Sequence, residues 1–382
     1  MKPDLPADGL FVGRIWRPDT NGPSVVVRRR ERLFDITSSS IPTMQALLEA
    51  DDAAAAAASA EGSDVGALGE VAANSTETPD HSKPYFLPPS DLQPIKACGV
   101  TFVSSMLERV IEEKAKGDPA KADTIRDRCT AILGDSLHAV VPGSDKAMAL
   151  KDALIAEDVW SQYLEVGIGP DAEIFSKAQP MSAVGFGASV GLHPVSTWNN
   201  PEPEIVLAVD SRGRVKGATL GNDVNLRDVE GRSALLLGKA KDNNAACAIG
   251  PMLRLFDDGF GMDDVRGAEL TLRVVGTDGF VLDGKSSMAE ISRDPDDLVR
   301  QTCGAHHQYP DGFFLMLGTL FAPTQDRDMP GGGFTHKLGD VVEISNASLG
   351  RLANTVRLST ECPPWTFGTS ALMKNLAARK LI

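Results

Sequence analysis

Apolar and polar residues alternate along most of the second half of the chain. Beyond Gly169, short runs with the two-residue period of half-buried strands are separated by turns rich in Gly, Pro and Asn. The runs are EIVLAVD, GRVKGATLG, AELTLRVVG, FVLDGKSS, GFFLMLG, DVVEISN and TVRLS. Ahead of them, from Ile95, lie a strand-like run, IKACGVTF, and helical spacing in SSMLERVIEEKAKG, KADTIRDRCTAIL and DKAMALKDALIA. The pattern predicts a large strand-dominated α+β domain over residues 91–382.

The first 90 residues predict a small appended domain. GLFVGRIW and GPSVVVRRRERLFDI have the spacing of strands, and IPTMQALLEA has that of a short amphipathic helix. The stretch near residues 51–84 is rich in Ala, Ser, Gly and acidic residues and contains almost no large apolar side chains. Because such a stretch can bury little surface, we expect a low-complexity loop or disorder there.

Composition and charge exclude several classes of protein. No run approaches the roughly 20 apolar residues that a membrane helix needs, so we expect no membrane partner. The net charge is −14 and no basic stripe is present, so we expect no nucleic-acid partner. The N-terminus carries acids and prolines where a signal peptide needs a basic end, and the five cysteines are scattered without a CxxC pair. These features predict a cytoplasmic protein.

Two glutamates at the start of the run EIVLAVD are candidate metal ligands. Glu202 and Glu204 are two residues apart, so on a strand they point to the same face. Carboxylates so close repel each other unless a cation or a shared proton lies between them. Asp223, which we expect in a turn between strands, supplies a third oxygen ligand for a hard cation such as Mg²⁺ or Mn²⁺. We call Glu202, Glu204 and Asp223 the acidic triad.

Further charged residues surround the triad in the sequence. Asn222, Arg227 and Asp228 flank Asp223, and Lys239 follows in GKAKDNN. Such charge density in a strand-rich region is unfavourable unless the groups satisfy one another, which favours an active site. A solvated turn of acidic residues has the same pattern, so the residues alone leave both interpretations open.

These residues, taken in order, resemble the fumarylacetoacetate hydrolase superfamily from about Ile95 to the C-terminus. Its signature has a Glu-x-Glu strand, an Asn-Asp-x-x-x-Arg-Asp turn, a lysine in Gly-Lys-x-x-Asp and a later Gly-Thr. The corresponding residues are Glu202 and Glu204, Asn222 to Asp228, Lys239 with Asp242, and Gly318 with Thr319. The segment GDVVEISNASLGRLANTV is similar to the closing part of that domain. The resemblance implies a fumarylacetoacetate-hydrolase-like catalytic domain behind a small N-terminal domain.

The resemblance also implies roles for individual residues. The acidic triad would bind Mg²⁺ or Mn²⁺, and Lys239 would lie at the metal site. Arg227, Thr319 and Asn222 would contact the substrate. Family members are commonly dimers or tetramers, so the resemblance implies a homo-oligomer.

One departure from the family pattern affects the chemistry. Family hydrolases commonly carry Gly-Leu-Asn-Tyr-x-x-His-x-x-Glu at the start of the domain, where a His-Glu pair activates water. Here GVTFVSSMLE places Ser105 at the histidine position and retains Glu108. A serine hydroxyl is a poor base near neutral pH. The departure therefore argues against C–C bond hydrolysis.

Within the superfamily, the chain resembles the branch of 2-keto-3-deoxy-D-pentonate dehydratases, which act on acids derived from xylonate or arabinonate. The similar segments are GVTFVSSMLERVIEEKAKGD, VWSQYLEVGIGPDAEIF, GNDVNLRDVEGRSALLLGKAKDNNAACAIGP and QYPDGFFLMLGTLFAPTQDRD. This implies a lyase that dehydrates a small 2-oxo sugar acid to 2,5-dioxopentanoate. In that mechanism Lys239 would be the base and Glu108 the acid. An acylpyruvate hydrolase and a non-enzymatic sugar-acid-binding protein are the alternatives.

Overall fold

The structure is a computed structural model that describes residues 1–102, 106, 110, 140–156, 160–319, 323, 325–328 and 333–382. Within these residues it contains sixteen β-strands and ten α-helices. The strands are β1 Phe11–Arg17, β2 Gly22–Arg29, β3 Arg32–Asp35, β4 Ser63–Ala67, β5 Tyr85–Leu87, β6 Ile95–Gly99, β7 Glu173–Ala178, β8 Ser189–Leu192, β9 Pro203–Val209, β10 Val215–Asp223, β11 Cys247–Leu255, β12 Glu269–Val275, β13 Val281–Ser287, β14 Phe313–Met316, β15 Val341–Asn346 and β16 Gly350–Leu358. The helices are α1 Met44–Glu49, α2 Ala53–Ser59, α3 Leu68–Asn74, α4 Asp145–Ala156, α5 Gln162–Ile168, α6 Arg227–Glu230, α7 Leu237–Lys241, α8 Met262–Arg266, α9 Pro295–Thr302 and α10 Thr369–Ala378.

The strands form two sheets, which confirms the predicted strand-dominated α+β class. An 11-stranded sheet runs in the order β4-β3-β2-β1-β11-β10-β9-β14-β6-β7, with β5 paired to β1. A 5-stranded sheet runs in the order β13-β12-β15-β16-β8. Each alternating run beyond Gly169 forms a strand. Strand β12 has one buried and one exposed face, whereas β9 and β14 are buried along their whole length.

Strand β9 is buried on both faces and lies between two apolar cores. Ile205 and Leu207 belong to the larger core, which also fills the space between the sheets. Val206 and Ala208 point the opposite way, into a second core that includes side chains of β14. The strand that leads out of the Glu-x-Glu motif is therefore held rigidly from both sides.

The stretch near residues 51–84 is ordered, contrary to the prediction of a low-complexity loop. It forms α2, β4 and α3. Asp52 caps α2 by accepting a hydrogen bond from the backbone N–H of Ala55, and Ala53 and Ala57 are buried beneath that helix. Small side chains can pack closely, so a stretch that lacks large apolar residues can still form ordered helices and a strand.

The N-terminal residues share a sheet with the rest of the chain. Strand β1 pairs antiparallel with β11, in the register Phe11 to Arg254 and Val12 to Leu253. A division near residue 90 stays a proposal. The helix predicted in DKAMALKDALIA is α4. The helices predicted in the two segments before it fall almost wholly outside the described residues. Among the described helices, none has the length and apolar character needed to span a membrane.

Candidate active site

The acidic triad assembles at one end of β9 and β10. The two strands pair antiparallel with Glu204 opposite Gly221, and the backbone N–H of Asp223 donates to the carbonyl oxygen of Glu202 at 3.0 Å. This register places all three acidic side chains on one face of the ribbon. Asp223 is the last residue of β10. The sequence had predicted that it lies in a turn between strands.

One carboxylate oxygen from each member of the triad lies within 4.8 Å of the others. The side chains are almost inaccessible, with exposures of 4% for Glu202, 1% for Glu204 and 1% for Asp223. Burial, followed by the charges of Asp223 and Glu202, raises the pKa of Glu204 well above its ordinary value. Three converging carboxylate oxygens form a donor set that suits a hard divalent cation, so the residues present fit Mg²⁺ or Mn²⁺.

The lysine that contacts the triad is Lys241, not Lys239. The Lys241 Nζ donates to Glu202 Oε2 at 2.5 Å and to Asp223 Oδ2 at 3.1 Å, and its side chain is buried. Burial lowers the pKa of Lys241, but the charges of Asp223 and Glu202 outweigh burial and raise it. Lys239 is exposed, because residues two apart on helix α7 point in nearly opposite directions. The sequence prediction therefore needs correcting by two residues.

A second buried lysine, Lys177 on β7, was missed in the sequence. Its Nζ lies 2.6 Å from Asp223 Oδ1 and donates to the carbonyl oxygens of Val224 at 3.1 Å and Lys241 at 2.6 Å. The side chain has no exposed surface. In the sheet order β7 is three strands from β9, so the sheet must curve strongly to bring Lys177 to the end of β10. A lone lysine in a short strand carries no sequence signal of this contact.

The predicted substrate-contacting residues lie around the triad in different settings. Asn222 Oδ1 accepts a hydrogen bond from the backbone N–H of Glu202 at 3.1 Å, so Asn222 supports the strand that holds the triad. The buried Arg227 guanidinium lies 4.4 Å from the centre of the Trp198 ring. Thr319 is half-buried and follows Gly318, described below. Contact of these three residues with a substrate stays a prediction.

Gly318 links β14 to the triad. Its backbone N–H donates to Glu204 Oε2 at 2.7 Å. The residue has a φ of +100°, and an added Cβ would collide with the Thr101 Oγ1. A glycine is therefore required for the backbone to approach Glu204 so closely. Ser105 and Glu108, the predicted site residues near the start of the domain, lie outside the described residues.

Comparison with known proteins finds a matching family model and two proteins of similar sequence. The family model described as fumarylacetoacetate (FAA) hydrolase C-terminal matches residues 173–357. A 2-dehydro-3-deoxy-D-arabinonate dehydratase of Saccharolobus solfataricus is 29% identical over 185 residues, which are 48% of this chain and 58% of the relative. A probable 2-keto-3-deoxyxylonate dehydratase of Haloferax volcanii is 30% identical over 194 residues, 51% of this chain and 63% of the relative. The chain thus spans about three fifths of the length of these curated relatives.

Solved structures share the fold over most of the chain. A 2-keto-3-deoxy-D-arabinonate dehydratase complexed with magnesium and 2,5-dioxopentanoate has a TM-score of 0.63 at 20% identity, covering 92% of this chain and 99% of that one. A fumarylacetoacetate hydrolase of Exiguobacterium antarcticum has a TM-score of 0.55 at 14% identity, covering 91% and 99%. At these identities the likeness is one of fold. The match to the fumarylacetoacetate hydrolase C-terminal family model spans residues 173–357, the part of the chain that contains the acidic triad, Lys177 and Lys241.

Proposed function

We propose that this protein is a divalent-metal-dependent hydro-lyase that converts 2-keto-3-deoxy-D-pentonate into 2,5-dioxopentanoate, with Mg²⁺ or Mn²⁺ as the metal. The observation that carries the proposal is the buried triad with Lys241 against two of its carboxylates. Both curated relatives are named as dehydratases of 2-keto-3-deoxy-pentonates, which supports this substrate class. A dehydratase of the same fold has been solved with magnesium and 2,5-dioxopentanoate, which supports the metal.

The triad would hold the cation, and Lys241 would carry out the first proton transfer. When bound, the cation withdraws electron density from the oxo acid and offsets the negative field of the triad. That field is what raises the pKa of Lys241 above its ordinary value. With the field offset, Lys241 can lose its extra proton and its Nζ can accept one from C3 of the substrate. The role first predicted for Lys239 is therefore transferred to Lys241.

Loss of water then needs an acid at C4. The C3–H bond and the C4–O bond break, a double bond forms between C3 and C4, and the departing hydroxyl takes up a proton as water. Movement of a proton from C5 to C3 gives the C4–C5 enol, and its tautomerisation gives the aldehyde. Glu108 is our candidate for the acid and lies outside the described residues. Ser105, at the position of the family histidine, leaves no strong base there for hydrolysis.

Product analysis tests the proposal. The purified protein is incubated with Mg²⁺ and 2-keto-3-deoxy-D-pentonates of both the xylonate and arabinonate series. Mass spectrometry should show a product lighter by one water that carries an aldehyde, and a chelator should stop its formation. Glu108→Gln should lower the rate of water release more than it weakens substrate binding. Pyruvate with a second fragment would support the hydrolase instead, and saturable binding without turnover would support the binding protein.

A further inference from the structure

The face of β9 and β10 that carries the triad continues past it into a pair of asparagines. Asn200 and Asn225 form an antiparallel bridge, with both backbone hydrogen bonds made at 3.1 and 3.0 Å. They follow the same register as Glu202 and Asp223, two residues further along each strand of the ribbon. Strand alternation therefore places both amides on the face of the triad. The hydrogen bond from Asn225 Nδ2 to Glu202 Oε1, at 3.0 Å, agrees with this placement.

Both amides have their nitrogen engaged and their oxygen unpaired. Besides Glu202, the Asn225 Nδ2 also donates to Glu230 Oε2 at 2.6 Å, and the Asn200 Nδ2 donates to the carbonyl oxygen of Pro201 at 2.9 Å. The Oδ1 atoms of both residues are buried and have no hydrogen-bond partner among the described residues. The residues themselves are 1% and 0% exposed. Two neighbouring buried acceptors without a donor are unfavourable unless a ligand or solvent supplies one.

We propose that this asparagine pair binds the C5 hydroxyl group of the substrate, an inference that rests on the proposed function for the identity of the acid. Residues two apart on a strand are separated by about 6.6 Å. That distance is comparable with the reach of a five-carbon acid whose oxo-acid end lies at the triad. A hydroxyl group can donate to an amide oxygen, whereas a carboxylate at C5 would be repelled by both oxygens. The pair would therefore select a 5-hydroxy acid over the corresponding 2-oxo acid with a methyl or carboxylate end.

Two inert acids test the proposal without any turnover. 5-Hydroxy-2-oxopentanoate and 2-oxopentanoate differ only in the C5 hydroxyl group, and neither has a C4 hydroxyl group to lose. Their dissociation constants for the Mg²⁺-loaded full chain are measured by calorimetry. One hydrogen bond to a neutral acceptor predicts that the hydroxylated acid binds about fivefold to tenfold more tightly. 2-Oxoglutarate, which has a carboxylate at C5 in place of the hydroxymethyl group, should bind more weakly than 5-hydroxy-2-oxopentanoate.

The ratio of the two dissociation constants is then measured in Asn200→Ala and Asn225→Ala. Because both acids present the same end to the metal, any effect of Asn225→Ala on Glu202 cancels in the ratio. A ratio near one in either variant supports the proposal. Asn199→Ala is the matched control, since alternation from Asn200 directs Asn199 away from the face of the triad. Its Nδ2 donates to Ser196 Oγ at 3.2 Å, and its Oδ1 is also buried without a partner among the described residues. The ratio in Asn199→Ala should equal that of the wild type.

Three results would overturn the proposal: no preference in the wild type, an unchanged ratio in both alanine variants, or an equal loss in Asn199→Ala. If an alanine variant does not fold, Asn200→Leu provides a substitution of similar size without an acceptor. Failure of dehydration is recorded separately, by the absence of a product lighter by one water. A wild type that prefers the hydroxylated acid but releases no water would keep the asparagine site and overturn the dehydratase.

Discussion

Lys177 donates a hydrogen bond to the backbone carbonyl oxygen of Lys241 at 2.6 Å, so one buried lysine of the site fixes the main chain of the other. The ammonium of Lys177 has three protons and faces three oxygens, those of Asp223, Val224 and Lys241. It is a fixed cation that joins the end of β10 to the end of α7. Lys241 instead has its ammonium between two carboxylates, 5.5 Å from the centre of the Phe175 ring. The contacts of Lys177 suit a positioning role, and those of Lys241 suit the proton transfer proposed above.

Replacement of Lys177 should destabilise the fold. Lys177→Met leaves Asp223 buried without this cation and removes the Lys177 donor from two carbonyl oxygens, which predicts a loss of about 3–5 kcal/mol in the free energy of unfolding. Urea unfolding in the presence of a chelator measures it. Lys96→Met is the control, because Lys96 lies on neighbouring β6 and its Nζ donates to the neutral Ser176 Oγ at 3.1 Å. Equal stability of the two variants would show that Lys177 does not hold the site together.

Substitution of the two lysines of α7 should separate their roles. Lys241→Gln should lower kcat by about 10²–10⁴-fold, because it removes the proton-accepting Nζ, and Lys239→Gln should leave kcat unchanged. Lys241→Arg should not restore turnover, since arginine does not give up its proton at accessible pH. Steady-state kinetics with a constant excess of Mg²⁺ provide the comparison, and calorimetry checks that both variants still bind Mg²⁺. A large loss in Lys239→Gln with normal Lys241→Gln would return the role to Lys239.

The sequence predicted those features of the site that depend on local geometry. Glu202 and Glu204 share a face because of strand alternation, which is a property of any two residues at that spacing. The lysine was misplaced because GKAKD contains two, and only the orientation of helix α7 decides between Lys239 and Lys241. Lys177 could not be predicted, since its contact with Asp223 requires the curvature of a whole sheet. Local periodicity specifies strands well, but it does not specify how distant strands meet.

The close approach of Gly318 to Glu204 predicts a sharp effect of a single methyl group. Gly318→Ala would force the chain away from Thr101 and shift the N–H that donates to Glu204 Oε2. We expect weaker Mg²⁺ binding and a lower unfolding midpoint. Gly213→Ala is the matched control: Gly213 also has a positive φ, of +75°, but an added Cβ there meets nothing within 4 Å. It should cost only about 1 kcal/mol, the backbone strain alone, and leave Mg²⁺ affinity intact. Equal Mg²⁺ affinities in the two variants would contradict this account.

The raised pKa of Glu204 predicts a dependence of stability on pH that metal should reverse. Burial and the charges of Asp223 and Glu202 favour the protonated form of Glu204 in the folded, metal-free protein. Glu202 and Asp223 have lysine ammonium groups within 3.1 Å, whereas Glu204 accepts a backbone N–H, so the proton belongs on Glu204. A folded pKa above the unfolded one gives a stabilisation that is fully present below the unfolded pKa. It is lost as the pH rises through the folded pKa.

Comparison of the wild type with Glu204→Gln isolates this contribution, because glutamine mimics the protonated acid at every pH. In a chelator, the wild type should match the variant below the ordinary pKa of glutamate and lose stability relative to it above that pH, by up to about 1.4 kcal/mol per pH unit. With Mg²⁺ the wild type should become more stable than Glu204→Gln, since the cation requires the ionised carboxylate. Calorimetry of Mg²⁺ binding in buffers of different ionisation enthalpy should also detect the release of a proton. Glu343→Gln, at a half-buried glutamate paired with Arg351 at 2.9 Å, is the control for the metal effect: Mg²⁺ should stabilise it by as much as it stabilises the wild type. A constant stability difference between the wild type and Glu204→Gln across this pH range would mean that Glu204 is already ionised without metal.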